Sequence, residues 1–227
     1  MTTKRVVIVG GGPVGATLAL TLQHHGVPVT MLEAREKGAA YQDQRALALS
    51  YGSRRILEKL GVWDRLDAQA TAINTIHISQ RGSLGRSLLK AQEHDLPALG
   101  YVLSYGALTR ALDEVLAQFN DLEIVYQAEA KHIEPGAEFA TVEFAHQGQS
   151  QKLASPLLVL ADGGRSLGDI PGIQRETKMY GHDALVSKVK TELPHKHIAY
   201  ERFTPMGPVA LLPNGQDFSL VWTGKAE

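Results

Sequence analysis

The chain is 227 residues long and carries 23 Lys and Arg against 24 Asp and Glu, a formal net charge of −1. That balance gives no electrostatic drive toward nucleic acid, so no nucleic-acid partner is expected. At 44% hydrophobic and 21% charged the composition is that of a folded globular protein, and the lack of cysteine removes disulfides, thiolate nucleophiles and cysteine metal sites while suiting a reducing cytoplasm.

Residues 4–9 (KRVVIV) are a short β-branched run closed by glycines, which predicts a strand buried on both faces of a parallel sheet. The run is too short to span a bilayer or to form a signal-peptide core, so neither insertion nor export is expected. Over residues 13–25, Val14, Leu18, Leu20 and Leu22 supply the apolar face of a helix that Gly26 is suited to stop. Residues 27–32 resume a β-rich run that ends at Glu33, which completes a βαβ unit of right-handed crossover.

The periodicity of residues 47–61 predicts a second helix, with Ile56, Leu57 and Leu60 on one face, Ser50 or Ser53 as N-cap and Gly61 as stop. Residues 74–80 alternate, Ile76 and Ile78 against Thr75, His77 and Ser79, and read as a half-buried strand turned by Gly82 and Gly85. A third helix is expected over 108–119, striped by Leu108, Leu112, Val115 and Leu116. Further strands are expected at 122–126, 128–134, 140–145 and 157–160, the last running into Asp162-Gly163-Gly164. After Gly172, prolines 194, 205, 208 and 213 break alternating segments, which favours antiparallel strands in a second domain.

Gly10-Gly11-Gly12-Pro13-Val14-Gly15 fits G-x-G-x-x-G where the chemistry needs it, between a strand and a helix. Gly10 allows the tight turn, Gly12 lets backbone approach a diphosphate, and Gly15 lets the helix pack on the strand. The diphosphate would lie at the helix N-terminus, where unpaired N–H groups and the macrodipole favour an anion. Glu33, 18 positions beyond Gly15, is placed to accept hydrogen bonds from an adenosine ribose. An acid there disfavours a 2′-phosphate, so FAD or NAD is expected rather than NADP, and the fingerprint does not choose between them.

Several motifs in order resemble the flavoprotein aromatic hydroxylases with a para-hydroxybenzoate-hydroxylase-like fold, in particular the ubiquinone-biosynthesis hydroxylases. Residues 45–53 (RALALSYGS) are similar to a family segment whose arginine, here Arg45, reaches the flavin dinucleotide. Residues 160–166 (LADGGRS) resemble the Asp-Gly motif that contacts FAD and the nicotinamide donor, here Asp162 and Gly163. That motif usually continues to an arginine where this chain has Asp169, and Gly168 and Pro171 disfavour the helix that follows it in the family. Tyr105 falls near a family flavin-contact position, and residues 75–82, 200–213 and 219–222 resemble substrate-domain strands. Read from the residues alone, the lesser alternatives are a solvated arginine at Arg45 and a plain Asp-Gly turn at Asp162.

The resemblance implies an α/β fold, a Rossmann-like FAD-binding domain with a parallel sheet plus an antiparallel-sheet substrate domain, truncated. The FAD-binding domain would take residues 1–72 and 101–173, and the substrate domain, left incomplete, residues 73–100 and 174–227. The family's later Gly-Asp-Ala-Ala-His type motif, whose aspartate holds the ribityl chain, does not occur in the sequence. Residues 1–227 alone are therefore expected to hold FAD weakly and to turn over no substrate.

The activity implied is an FAD-dependent monooxygenase that hydroxylates a polyprenylated phenol in ubiquinone biosynthesis through a 4a-hydroperoxyflavin, with NADPH or NADH as donor and O2. The cofactor carries the hard chemistry, so no side chain is assigned as catalytic. A cytoplasmic location, peripheral at the inner membrane, is expected, together with membership of a ubiquinone-biosynthesis complex and pairing into a homo-oligomer. An NAD-dependent dehydrogenase or reductase remains the alternative enzyme, and a non-catalytic flavin-fold member of a biosynthetic complex the alternative outside catalysis. No metal site is expected: His195-Lys196-His197 beside Pro194 reads as a solvated loop, and Phe203, Pro205 and Trp222 as core and turn residues.

Overall fold

The computed structural model describes residues 4–168 and 170–225. In chain order the first elements are β1 (Val6–Val9), α1 (Pro13–His24), β2 (Val29–Glu33), β3 (Ala46–Ser50) and α2 (Tyr51–Lys59). They are followed by β4 (Thr71–Ile73), β5 (Thr75–Gln80), β6 (Arg86–Lys90), β7 (Gly100–Ser104) and α3 (Tyr105–Leu116). Next come β8 (Leu122–Tyr126), β9 (Glu129–Glu134), β10 (Ala140–His146), β11 (Gln149–Ser155) and β12 (Leu158–Leu160). The last strands are β13 (His182–Val189), β14 (Ile198–Phe203), β15 (Val209–Asn214) and β16 (Asp217–Lys225). The chain folds as two compact units.

The first unit comprises the residues up to Gln42, Leu60–Val62 and Thr109–Thr177. Its centre is a parallel sheet in the order β12-β1-β2-β8, and β1 and β2 are almost wholly buried, as their unbroken apolar runs require. Val7, Val9 and Leu32 pack against Ile133, Val142 and Phe144 of an antiparallel sheet, β11-β10-β9. Ala16, Ala19 and Leu20 of α1 are also buried, and the small alanines let the helix lie close to the strands.

The second unit comprises Asp43–Lys59, Trp63–Leu108 and the residues from Lys178 onward. It holds a six-stranded sheet in the order β13-β16-β15-β14-β5-β6 and a three-stranded sheet, β3-β7-β4. Every pairing in the larger sheet is antiparallel except β14 with β5. Ile73 and Val102 of the smaller sheet meet Ala199, Ile76 and Leu212 of the larger one.

Several expectations need correction, among them Val14 and Ile56, placed on the apolar faces of α1 and α2 but 73% and 52% exposed. The helix expected from residue 47 begins at Tyr51, because Ala46–Ser50 pairs with β7 as a strand. Gly100 permits that pairing, since a Cβ there would lie 2.5 Å from the Leu49 carbonyl oxygen. The cap itself is as expected: the Ser53 N–H donates to Ser50 Oγ at 3.1 Å.

His195 is buried rather than solvated. It accepts the His197 N–H at Nδ1 (2.9 Å) and donates from Nε2 to the Gly215 carbonyl (2.8 Å), so neither ring nitrogen offers a lone pair to a metal.

Phe203 and Trp222, expected to pack inward, are 45% and 52% exposed. The register places Trp222 on the face opposite Ala199 and Leu212, the residues that pack on the smaller sheet, while Phe203 is the last residue of its strand.

Candidate functional site

The glycine turn opens directly from β1. Gly10 has φ +104°, a region an L side chain rarely adopts, and its N–H donates to the Leu32 carbonyl at 2.8 Å. A Cβ at Gly10 would lie 2.6 Å from the Ala161 carbonyl oxygen, so the glycine lets the chain after β12 close on the turn. At Gly15 a Cβ would lie 1.9 Å from the Gly10 carbonyl oxygen, and only glycine lets α1 start this close to β1. Gly12 is the N-cap of α1 and brings no side-chain cap, and Pro13 follows at the first helical position. The first turn of α1 therefore keeps backbone N–H groups directed past Gly12, the arrangement that receives an anion.

Glu33 ends β2 beside this turn. Its Oε2 accepts the Gly11 N–H at 2.7 Å, and Oε1 accepts the Arg35 N–H at 2.9 Å and Arg35 Nε at 2.8 Å. Burial pushes the carboxyl upward, but the hydrogen bonds from Arg35 and Gly11 outweigh it and hold the group below its ordinary value. Glu33 is thus ionised and oriented by three donors, with one lone-pair direction on Oε2 left for a further donor such as a ribose hydroxyl.

Next to Glu33 a small open cavity is lined by Gly11, Gly38, Thr109, Asp113 and Tyr126. Its rim is fastened by Tyr41, whose hydroxyl donates to Asp113 Oδ2 at 2.9 Å while the Arg110 guanidinium lies 5.0 Å over the Tyr41 ring. Burial pushes the Asp113 carboxyl up. Burial, with the charge of Asp113, likewise raises the Tyr41 and Tyr126 hydroxyls to about 12, so both stay protonated donors.

Asp162 follows β12 and faces its own loop. Oδ1 accepts the Gly164 N–H at 3.0 Å, and Oδ2 accepts the Ser166 N–H at 2.7 Å and the Ser166 hydroxyl at 2.5 Å. Burial raises this carboxyl, and the Ser166 and Gly164 bonds more than offset it, leaving it below its ordinary value. Gly163 and Gly164 both take positive φ, +75° and +82°, which the loop needs in order to fold back over the carboxylate. Asp169, where the chain departs from the family motif, lies outside the described residues.

Arg45 and Tyr105 belong to the second unit, and the structure brings them together. The Arg45 guanidinium lies 5.0 Å from the Tyr105 ring centroid and pairs with Asp43 (Nη2 to Oδ2, 2.6 Å). The Tyr105 N–H donates to the Arg45 carbonyl at 2.8 Å, which fixes the start of α3 beside Arg45. Sequence reasoning missed Gly11, Arg35, Tyr41 and Asp113. The Glu33-x-Arg35 spacing could have signalled the ion pair, but the remaining contacts link residues too far apart for any local pattern to report.

Residues 3–224 match a family model described as FAD binding domain. The chain is 32% identical to the ubiquinone hydroxylase UbiL of Rhodospirillum rubrum over 227 residues, covering 98% of this chain and 52% of that protein. It is 28% identical to the 3-demethoxyubiquinol 3-hydroxylase of Escherichia coli, covering 96% of this chain and 56% of that protein. Among solved structures, the p-nitrophenol 4-monooxygenase PnpA of Pseudomonas putida superposes with a TM-score of 0.77 at 19% identity, covering all of this chain and 58% of that one. The chain spans about half the length of the curated relatives it matches.

Proposed function

The chain belongs to the FAD binding domain family, and from that premise we propose that it is the cofactor-holding part of a monooxygenase that hydroxylates a polyprenylated phenol in ubiquinone biosynthesis, using a nicotinamide donor and O2. FAD is the cofactor of the family. The observation that carries the reading is the glycine turn, closed so tightly at Gly10 and Gly15 that a Cβ at either would meet backbone, which sets the uncapped start of α1 beside an ionised Glu33.

In this reading the uncapped start of α1 receives the diphosphate, Glu33 accepts from the adenosine ribose, and Arg45, held by Tyr105 and Asp43, supplies a cation to the dinucleotide. Asp162 and Gly163 shape the loop that packs against Gly10. Bound FAD supplies the electron transfer and oxygen chemistry, and the residues named here bind and orient it. The names of the relatives favour a quinone-precursor phenol over other rings. They also favour an enzyme over a non-catalytic flavin fold. The division into an FAD-binding domain (1–72, 101–173) and a substrate domain (73–100, 174–227), membership of a ubiquinone-biosynthesis complex and homo-oligomer formation are part of the same proposal.

Among the described residues no helix is long and apolar enough to cross a membrane. In this reading a lipid-soluble substrate is met at a bilayer surface, in keeping with a peripheral location at the inner membrane. The test is to titrate the chain with FAD and with NAD, and then to follow NADH and NADPH oxidation with and without a prenylated phenol. Weak FAD binding is expected of residues 1–227 alone, and phenol-dependent donor oxidation only of a version that carries the family's later Gly-Asp-Ala-Ala-His type motif. Binding of NAD in place of FAD would overturn the reading in favour of a dehydrogenase.

A further inference from the structure

The six-stranded sheet of the second unit has two unlike ends. At one end lie the β5–β6 turn (81–85), the β14–β15 turn (204–208), the last residues of β16 and the residues leading into β13. The pairings Ser79 with Arg86, Val209 with Trp222 and His182 with Lys225 place these segments side by side. The turns bring apolar side chains to their tips: Leu84 is fully exposed, and Met206 and Tyr180 are 62% and 75% exposed. Phe203, at the last position of β14, is also open to solvent.

The charges at this end are mostly positive. Among the described residues Arg81, Arg86, Arg202, Lys178 and Lys225 are exposed there, against the carboxylates Asp183 at the rim, Glu176 two residues before Lys178 and Glu201 one register row further in. Lys178 lies 5.5 Å over the Tyr180 ring, which keeps its charge beside an exposed aromatic. At the other end of the same sheet Lys188 is paired with Asp217 and Lys90 with Glu93, and among the described residues exposed Lys190, Lys196 and Leu193 lie there without a matching set of apolar turn tips. In a chain whose total charge is −1, this end thus carries five exposed cations beside the exposed Leu84, Met206, Tyr180 and Phe203.

We propose that this edge docks on an anionic lipid bilayer, the turn tips entering the headgroup boundary and the arginines and lysines meeting lipid phosphates. Exposed Leu, Met and aromatic side chains gain from leaving water only where an apolar phase is offered, and the surrounding cations select a surface of negative charge. A nucleic-acid surface would use the cations but leave Leu84 and Met206 without a role. The inference deepens the reading above, since a polyprenylated phenol resides in lipid, but the surface is argued from this edge alone.

The test is flotation of the chain with vesicles of phosphatidylcholine, with and without phosphatidylglycerol. Binding is expected only to the phosphatidylglycerol vesicles and should weaken as salt rises. The double variant Arg86→Gln/Arg202→Gln should partition about 25-fold more weakly, at about fivefold for each cation lost. Leu84→Ser/Met206→Ser should abolish the binding that survives in high salt, and Lys196→Gln, at the other end of the sheet, should change nothing. All these positions are exposed, and a circular-dichroism spectrum checks that the variants stay folded. Failure of the wild-type chain to float, equal binding to uncharged vesicles, an equal effect of Lys196→Gln, or equally tight binding to a DNA oligonucleotide would each overturn the proposal. Flavin content read on the same samples reports separately on the proposed function, because flotation requires neither FAD nor substrate.

Discussion

Gly11 donates its backbone N–H to Oε2 of Glu33 over 2.7 Å, so the acid that ends β2 is tied to the middle of the glycine turn. The turn and the acid are a single construction. A carboxylate that orients the turn also keeps its own remaining lone pair in a fixed direction, and Arg35 balances its charge through Oε1. Changes at Glu33 should therefore be felt in the fold as well as in ligand affinity.

Glu33→Gln should lower stability at pH 7 by about 1.5–3 kcal/mol, because the amide nitrogen must face a donor where the carboxylate accepted one. The folded carboxyl lies below its ordinary value of 4.5, so the ionised form stabilises the fold above that value, and the contribution is lost as the pH falls through the folded value. Denaturant midpoints of wild type and variant should converge in acid. A gap that stays constant down to low pH would show that the charge of Glu33 contributes nothing.

Gly15→Ala should destabilise the first unit by about 1–3 kcal/mol, since the new methyl meets backbone oxygen and not a side chain that can move. Gly12→Val should behave differently. Gly12 has φ −67° and ψ 179°, open to any residue, so the variant should fold and yet fail to retain FAD. Thermal melting and flavin absorbance on the same two proteins separate the outcomes, and a flavin-loaded Gly12→Val would count against the cradle.

Asp113→Asn should be at least as stable as wild type at neutral pH. Burial raises the folded carboxyl above its ordinary value, so ionisation opposes folding, with the full penalty above the folded value, a falling one below it and none below the ordinary value. The asparagine oxygen can still accept from Tyr41. The advantage of the variant should shrink in acid, whereas a loss of stability at pH 7 would mean that the Tyr41 hydrogen bond needs the charge.

Arg45→Ala should change stability by no more than about 0.5 kcal/mol, because its side chain is 69% exposed and such pairs contribute little. If Arg45 meets the dinucleotide, FAD affinity should fall about tenfold or more, as the loss of a charge-assisted contact implies. Fluorescence titration with FAD checks this, and unchanged affinity would leave Arg45 as a surface cation stacked on Tyr105.

The sequence by itself determined the elements whose signals are local. The β-branched run into Gly10, the apolar helix after Pro13 and the stop at Glu33 are consecutive, so periodicity and turn chemistry were enough to place the βαβ unit and its candidate acid. The later strands were also legible where their residues alternate, as in β5. Elements whose composition favours another structure were not. β3 is short and built of Ala and Leu, strong helix formers, and becomes a strand only because Gly100 in β7 lets the two backbones approach.

Only the tertiary structure decided which distant residues meet. Arg45 and Tyr105 are 60 positions apart and are joined because β3 and β7 pair in one register, Ala46 opposite Ser104. Tyr41 reaches Asp113 over 72 positions. The parallel pairing of β14 with β5, which sets the basic turns side by side, bridges more than a hundred. Each contact follows from strand register and chain closure, and no window of neighbouring residues carries that information, because a shift of one residue reverses the faces while leaving composition and periodicity unchanged.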